Sequence, residues 1–527
     1  MQLPFFQKKQ ALPQGKFNLD LRPRLIRIAP ITDYRTVNIR YPLIPPYAFA
    51  HLYWDQKNQE LAYDVEQPVL DDTEKEILRL VKLGLEEMIN VSYAQVHKIG
   101  QLLAYLEQNV QNILIELGTR ISEESYHKIM YYVYRDSIGL NEIEPIMRDY
   151  FIEDIECNGI GVPVYIVHRK FQNMRTNVTF GTHSELVNFV EKLSQKAGRY
   201  VSYAKPLLDG TLPDGSRVNG TYTDDVTTRG PTFTIRKFAR DPWMPVNIME
   251  VGTAPAEVFA YLWMAIEHRF NIMVIGETGS GKTTFLNSFV SFIPPEARIC
   301  SIEDTRELNL NHENWLPSVT RSGFGMPGRD GTQYGEITMF DLLRETFRQN
   351  PDYVIVGETR GPETYVLFQG MASGHPSYAT FHAGSVEALV RRLQTQPINL
   401  PASLIESLDC VCVLTHIREQ STNYRRLLRL EEIGRVKDDG HADVNTVFTW
   451  QPGKDTFVFS HKSLVMQKLS AKTGVPVDKL MKELKVRAQL MDKLFKAKVT
   501  DFKHFTDIIN HYYKDPGAVL KEFGVAA

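Results

Sequence analysis

The residues best suited to chemistry lie in the stretch IMVIGETGSGKTT, residues 272–284. Its apolar start predicts a buried strand, residues 276–283 fit the pattern G-x-x-x-x-G-K-[ST], and a helical pattern, TTFLNSFVSFI, follows at once. Glycines let backbone N–H groups wrap around a phosphate chain, and the helix N-terminus adds partial positive charge. The stretch therefore predicts a nucleoside triphosphate site rather than a purely structural glycine turn. The predicted binding residues are Gly276, Glu277, Thr278, Gly279, Ser280, Gly281, Lys282, Thr283 and Thr284.

Two residues of this loop have more specific predicted roles. Lys282 is expected to reach the terminal phosphates, and the Thr283 hydroxyl is expected to ligate Mg²⁺. A phosphate-binding loop alone does not hydrolyse ATP, because a water must also be oriented and developing charge stabilised. Further polar residues are therefore needed near the loop.

Carboxylates follow the next strand-like segment, RICSI. Glu303, Asp304 and Glu307 come directly after it, where the end of a parallel strand would project them into a ligand crevice. One of them could polarise the attacking water, and a solvated acidic loop is the alternative interpretation.

A second apolar segment, DYVIVGE, ends in the acid Glu358. This is the Walker B pattern, whose acid holds Mg²⁺ or its water ligands. The preceding segment TMFDLLRETFRQNP predicts a crossover helix with Phe340, Leu343 and Phe347 on one face.

Two histidines, His375 and His382, flank a strand-like YATF in GHPSYATFHAGS. With no third ligand nearby, a metal site is not favoured. Structural histidines and a γ-phosphate sensor at a strand end both stay open from spacing alone.

Bulk properties restrict the class of protein. The 527 residues predict two to four domains, and 60 basic against 63 acidic residues give a net charge of −3, which disfavours a nucleic-acid-binding protein. No apolar run is long enough for a membrane span and no secretory leader opens the chain, so a soluble cytoplasmic protein is expected. The cysteines form no C-x-x-C pair, which predicts buried free thiols and no zinc module. They are Cys157, Cys300, Cys410 and Cys412.

Other segments predict the framework. AFAHLYW and LAYDVEQ predict a hairpin, Thr73 with Glu76 and Thr182 with Glu185 predict helix-capping boxes, and 241–255 predicts a Pro/Gly-rich linker. The C-terminal stripe in LMKELKVRAQLMDKLF predicts a helical cap or a surface that contacts a membrane platform. The first 30 residues predict either a solvated tail or an arm that docks on an acidic partner or membrane. Its basic residues are Lys8, Lys9, Lys16, Arg22, Arg24 and Arg27.

The order GETGSGKTT, SIEDTRE, FDLLRETFRQNPDYVIVGETRG and GHPSYATFHAGS resembles the secretion ATPases of the type II/type IV pilus superfamily. These stretches match its Walker A motif, aspartate box, Walker B motif and histidine box, over roughly residues 143 to 417. Thr305, where many bacterial members have proline, and the missing tetracysteine module point to the archaeal branch. The resemblance implies a hexamer whose subunits combine a PAS-like domain, a linker and a RecA-like domain.

The resemblance also implies residue roles. Glu307 falls on the catalytic glutamate, Glu358 on the Walker B acid, and Glu303 and Asp304 on weaker metal-ligand positions of the aspartate box. The two histidines fall on the histidine box, which favours the sensor role. Three arginines match family residues that act on the phosphates from the N-terminal domain. They are Arg217, Arg229 and Arg236.

The sequence therefore predicts an α/β protein with four regions: an N-terminal mixed region (1–142), a PAS-like domain (143–240), a linker (241–255) and a RecA-like ATPase domain with a helical tail (256–527). The resemblance implies a cytoplasmic, ATP- and Mg²⁺-dependent homohexamer at the inner face of the membrane. Its expected partners are a polytopic platform protein and accessory cytoplasmic regulators, without zinc or nucleic acid. A RecA-like DNA translocase and a non-hydrolysing nucleotide-gated scaffold are the alternatives.

Overall fold

A computed structural model describes residues 17–21, 26, 28, 33–88, 99–238, 241–321, 323, 333–419, 422–437 and 440–526. The chain divides into two compact units, Met1–Phe238 and Ala239–Ala527. The basic residues predicted to form an N-terminal tail or docking arm lie outside the described residues. Within the described residues, no helix is both long enough and apolar enough to span a membrane.

The described part of the first unit is built on one nine-stranded sheet. Its strands are β1 (Asn38–Ile44), β2 (Ala48–Asp55), β3 (Glu60–Glu66), β4 (Ile152–Cys157), β5 (Pro163–His168), β6 (Gln172–Thr179), β7 (Leu207–Thr211), β8 (Arg217–Thr221) and β9 (Thr232–Arg236). They lie in the order β1-β2-β3-β6-β5-β4-β9-β8-β7, and the predicted β2–β3 hairpin is confirmed. Because β3 pairs with β6, the boundary predicted at residue 142 falls inside a continuous sheet.

Five helices of the described residues accompany this sheet: α1 (Asp72–Met88), α2 (Ile99–Glu116), α3 (Glu123–Ser137), α4 (Glu144–Arg148) and α5 (His183–Lys196). The capping box predicted at Thr73 and Glu76 is wrong by two residues. The Asp71 carboxylate accepts the Glu74 N–H at 2.8 Å, and Glu74 accepts the Asp71 N–H at 2.9 Å. Asp71, two residues before Thr73, is therefore the residue that caps the start of α1. For α5 the predicted cap is confirmed, since Thr182 accepts the N–H of Glu185.

The described part of the second unit contains another nine-stranded sheet. Its strands are β10 (Ile272–Gly276), β11 (Ile299–Glu303), β12 (Trp315–Val319), β13 (Tyr353–Thr359), β14 (Ser377–Phe381), β15 (Cys410–Glu419), β16 (Thr422–Val436), β17 (Ala442–Gln451) and β18 (Thr456–Phe459). In the order β12-β11-β13-β14-β10-β15-β16-β17-β18, the strands from β12 to β15 are parallel and the last three are antiparallel additions.

Helices cover both faces of the second sheet. Ile272 and Val274 face one apolar core, and Met273 and Ile275 face the other. Residues 241–255, predicted as a linker, contain a helix that packs into the first of these cores. The helices are α6 (Pro245–Glu250), α7 (Ala256–Glu267), α8 (Lys282–Phe289), α9 (Met339–Thr346), α10 (Glu363–Ala372), α11 (Val386–Gln394), α12 (Ala402–Ile405), α13 (Leu464–Thr473), α14 (Val477–Lys496), α15 (Phe502–Lys514) and α16 (Pro516–Glu522).

The four cysteines are buried free thiols, as predicted, and the C-terminal helices form a cap. Leu480, Leu484 and Met491 of α14 are buried in the same core as α7, which confirms the packing interpretation of the stripe. The sheet edge where β10, β11, β13 and β14 all end therefore becomes the place to look for chemistry.

Candidate active site

The P-loop, residues 276–283, connects β10 to α8. A Cβ added to Gly276 would lie 2.7 Å from the carbonyl oxygen of Leu414 on β15, so the backbone passes too close for any side chain. Gly281 caps α8 in the left-handed region, with φ of 88°, and no side chain caps the helix there. The first N–H groups of α8 are thus left for an anion, and the loop fits the triphosphate predicted from the sequence.

Lys282 lies over this loop. Its Nζ donates to the carbonyl oxygens of Gly276 and Glu277, each at 3.1 Å. Burial lowers the pKa of Lys282, whereas the nearby charges of Glu358 and Glu307 raise it. Because its present partners are neutral carbonyls, an anionic phosphate would bind the ammonium group more strongly.

The predicted acids lie at the same sheet edge as the loop. Ile275 is alongside Phe381 of β14, and Ile302 is alongside Val356 of β13, so the carboxyl ends of the four strands are level. Four predicted site residues lie at or just after these ends and are brought to the P-loop edge. They are Glu307, Asp304, Glu358 and His382.

Glu303 has a different position from its neighbours, because its side chain is buried. One carboxylate oxygen accepts the N–H groups of Glu307 at 2.8 Å and Leu308 at 2.9 Å. A Cβ on Gly357 of β13 would lie 3.0 Å from its Cγ. Burial raises the pKa of Glu303 to about 7. In place of the predicted weak metal ligand, Glu303 is an anchor that holds the loop carrying Glu307.

Glu307 and Asp304 are both exposed at this edge. Asp304 accepts a hydrogen bond from the Thr320 hydroxyl at 3.4 Å, which directs it toward the end of β12. Glu307 is fixed through its backbone N–H, and its side chain is exposed to solvent. Of the three acids in the aspartate box, Glu307 is therefore the best placed to activate a water.

Glu358 is paired with a residue that sequence reasoning missed. The Arg360 guanidinium lies 2.5 Å from the Glu358 carboxylate, and this hydrogen bond raises the pKa of Arg360. The Arg360 charge also acts on Lys282. The sequence GETRG could have predicted this pair, because side chains two residues apart in an extended segment lie on the same face.

The two histidines are separated by the strand between them. His382 follows β14 and is exposed at the P-loop edge. His375 precedes β14, and its ring packs on Phe347 with a centroid distance of 5.2 Å. Seven residues of extended chain span roughly 23 Å, so His375 lies at the opposite edge. Its predicted role as a sensor of a phosphate in this P-loop is therefore not supported.

A second missed residue, Arg425, comes from the antiparallel addition to the sheet. Its Nε donates to the Gly279 carbonyl at 2.8 Å, which ties β16 to the P-loop. The two residues are separated by 146 positions in the chain. No local pattern in the sequence could have shown this contact.

The three predicted arginines belong to the first unit. Arg217 and Arg236 are register partners on β8 and β9. Each has a carboxylate neighbour, Asp209 at 3.4 Å and Asp154 at 3.1 Å; the Arg236 side chain is exposed and that of Arg217 is half-buried. Arg229 lies apart from this pair in the turn between the strands, where its carbonyl accepts the N–H of Ile160.

The P-loop edge of the sheet has two candidate ligands for Mg²⁺. The predicted ligands are Thr283, the second residue of α8, and Glu358, the last but one residue of β13. In the part of the chain that the structure describes, no three acidic, histidine or cysteine side chains converge on one point. Since Mg²⁺ binds through one or two protein oxygens plus phosphates, these residues fit a cation that arrives with the nucleotide.

Comparisons with known proteins identify the family. The sequence profile described as "Type II/IV secretion system protein" matches residues 161–451. Uncharacterized protein MJ0900 of Methanocaldococcus jannaschii is 34% identical over 509 residues, covering 92% of this chain and 90% of that protein. The chain belongs to the type II/IV secretion system protein family. With its P-loop and the acids beside it, the chain is an ATPase of this family, as predicted, and its α/β fold with a RecA-like second unit is confirmed.

Two other proteins are also similar to this chain. Uncharacterized protein MJ1287 of the same organism is 42% identical over 272 residues, covering 51% of this chain and 97% of that protein. A crystal structure of the VirB11 ATPase from the Brucella suis type IV secretion system, in complex with sulphate, is 24% identical. That similarity covers 55% of this chain and 94% of the other, with a TM-score of 0.27.

Proposed function

We propose that this ATPase is a Mg²⁺-dependent motor that powers assembly of a type IV pilus-like filament. It would work as a homohexameric ring in the cytoplasm, at the inner face of the membrane, through a polytopic platform protein and accessory cytoplasmic regulators. The observation that carries this proposal is the grouping of Lys282, Glu307 and Glu358 at the P-loop edge of one sheet. Membership of the secretion family supports the coupling to a membrane machine.

In the proposed reaction, each group acts on a different part of the nucleotide. Lys282 moves from the carbonyl oxygens of its own loop to the terminal phosphates, and Glu307 accepts a proton from the attacking water. Thr283 and Glu358 would hold Mg²⁺, which neutralises phosphate charge when bound. Binding of the cation by Glu358 would compete with its ion pair to Arg360.

The arginines of the first unit would complete the site. Arg217 and Arg236, with Arg229 as a third candidate, would neutralise the charge that develops during phosphoryl transfer. Hydrolysis would then depend on closure of the two units around ATP, and product release would reopen them. That movement is the step proposed to shift the platform protein.

A phosphate-release assay on the purified full-length chain, with Mg²⁺ and either duplex DNA or anionic vesicles, tests the reaction. The motor predicts Mg²⁺-dependent release that DNA does not stimulate and that Lys282→Ala abolishes. Strong stimulation by DNA would favour a DNA translocase, and nucleotide binding without release would favour a scaffold. Electron microscopy should show six-fold rings with ATP, and a polytopic membrane protein should co-purify from native membranes.

A further inference from the structure

The hairpin of β15 and β16 brings an arginine to the P-loop that the proposed reaction does not use. Because β16 runs antiparallel to β15, Arg425 lies across from His416 at the P-loop edge. Its Nε donates to the Gly279 carbonyl at 2.8 Å. Its stem also passes Gly281, where an added Cβ would lie 3.1 Å from Cδ of Arg425. Arg425 is thus hydrogen-bonded to one glycine of the phosphate loop, and its stem lies beside a second.

The geometry of the peptide unit gives this contact a consequence. In a trans peptide the carbonyl and the N–H point in opposite directions, so an arginine that holds the Gly279 carbonyl also fixes the Ser280 N–H. That N–H now donates to the Glu277 carbonyl at 3.3 Å, which is a long bond that a phosphate oxygen can replace. We infer that Arg425 is a positioning residue that orients the Gly279–Ser280 peptide for the nucleotide phosphates.

The adjacent arginine has a different environment. Arg426 is buried, its guanidinium donates to Asp455 at 2.8 and 2.9 Å, and it also binds the Val251 carbonyl. Asp455 compensates the charge of Arg426, and the bond to Val251 connects β16 to the segment after α6. Arg425 is exposed and its hydrogen-bond acceptor is a neutral carbonyl, so its positive charge adds to the attraction of the loop for an anion.

Nucleotide binding by full-length variants tests this role. Arg425→Gln removes the charge and the Nε donor, Arg425→Lys keeps the charge alone, and Arg435→Gln is a matched control on an exposed arginine at the other end of β16. Fluorescent ATP and ADP analogues report the Kd, and phosphate release reports KM and kcat. Arg425→Gln should raise Kd and KM about tenfold, the equivalent of one charge-assisted hydrogen bond, with kcat within about twofold of the parent.

The conservative variant separates charge from geometry. Arg425→Lys should recover part of the affinity, about threefold weaker than the parent, and Arg435→Gln should bind like the parent. Unchanged Kd in Arg425→Gln, or an equal loss in Arg435→Gln, would overturn the inference, as would a fall in kcat at constant Kd. Because the inference rests on the proposed function only for nucleotide binding, a parent protein that binds ATP without hydrolysing it would refute the motor and leave this test valid.

Discussion

The two sheets present their functional groups in different ways. In the second sheet every residue of β10, β11 and β14 is buried, so polar side chains that can reach solvent or a ligand are confined to the ends of these strands. In the first sheet burial alternates along β5 and β9, so one face is free to carry charged side chains. The ends of the strands in the second sheet therefore hold the P-loop and the acids beside it. The open face of the first sheet carries the arginines Arg217 and Arg236. In the proposed function, the second sheet binds the nucleotide and the arginines of the first sheet neutralise charge on its phosphates.

The pairing of Arg217 with Arg236 is expected to lower the stability of the first sheet. Arg217 and Arg236 are register partners on neighbouring strands, and like charges directly opposite each other destabilise a sheet. Asp209 and Asp154 compensate part of the repulsion, although both arginines remain accessible to solvent. A surface pair of this kind is better explained by an external anion than by the stability of the sheet.

The largest expected effect is on the proposed catalytic acid. Glu307→Gln should lower ATP turnover by about 10³-fold while the Kd for ATP stays within about threefold, because it removes only the base. Glu313→Gln, an exposed glutamate in the same loop region, is the control and should turn over normally. Steady-state phosphate release with parallel binding measurements checks both. Normal turnover in Glu307→Gln would contradict the assignment of Glu307 as the catalytic base.

A smaller loss is expected from the first sheet. Arg217→Ala or Arg236→Ala should each lower kcat by about 10²-fold, because charge that develops during the reaction loses a partner. The melting temperature should not fall, since each change relieves a like-charge pair. Arg40→Gln removes an exposed, carboxylate-paired arginine of the same sheet and is the control. An equal kcat in all three variants would contradict the proposed role of Arg217 and Arg236 in charge neutralisation.

Much of the candidate site in the second sheet could be predicted from the sequence, because it depends on local patterns. The strand before the P-loop and the strands of the β2–β3 hairpin are short apolar runs with clear ends. The acids of the site are recognisable because they come at the ends of such runs. The contact of Arg425 with Gly279 could not be predicted, since it joins positions 146 residues apart. The position of His375 could have been predicted, because the strand that separates it from His382 fixes them at opposite edges.

The cap of α1 shows a limit of motif matching. Both Asp71–Glu74 and Thr73–Glu76 fit a capping pattern, and only the packing of the helix decides between overlapping candidates. Glu303 shows the same limit for chemistry. Its identity as an acid in the aspartate box is plain in the sequence, whereas its burial, and hence its anchoring role, depends on the neighbouring strand.

The tight backbone of the cradle gives a third prediction. Gly276→Ala places a Cβ 2.5 Å from the Ser280 hydroxyl and 2.7 Å from the Leu414 carbonyl. The second unit should lose about 3 kcal/mol of unfolding free energy and most of its ATP affinity. Gly453→Ala, which has open space around it, should change neither. Chemical denaturation followed by circular dichroism measures the difference, and an equally stable Gly276→Ala protein would contradict the close packing.

The smallest expected effect depends on pH. The pKa of Glu303 is raised to about 7 by burial, so the stability that its protonated form contributes is present at low pH and lost as the pH rises through 7. Without nucleotide, Glu303→Gln should gain about 2 kcal/mol relative to the parent between pH 5 and pH 8. Denaturant titrations at both pH values check this. A difference independent of pH would show that Glu303 is ionised throughout.

The central claim is that arginines of the first sheet act on phosphates bound by the second. Trapping of ADP with aluminium fluoride, which mimics the transferring phosphoryl group, tests it most directly. We predict that Arg236→Ala binds ADP like the parent but fails to form the trapped complex, whereas Arg40→Gln traps it normally. A trapped complex of undiminished stability in Arg217→Ala and Arg236→Ala would contradict the claim.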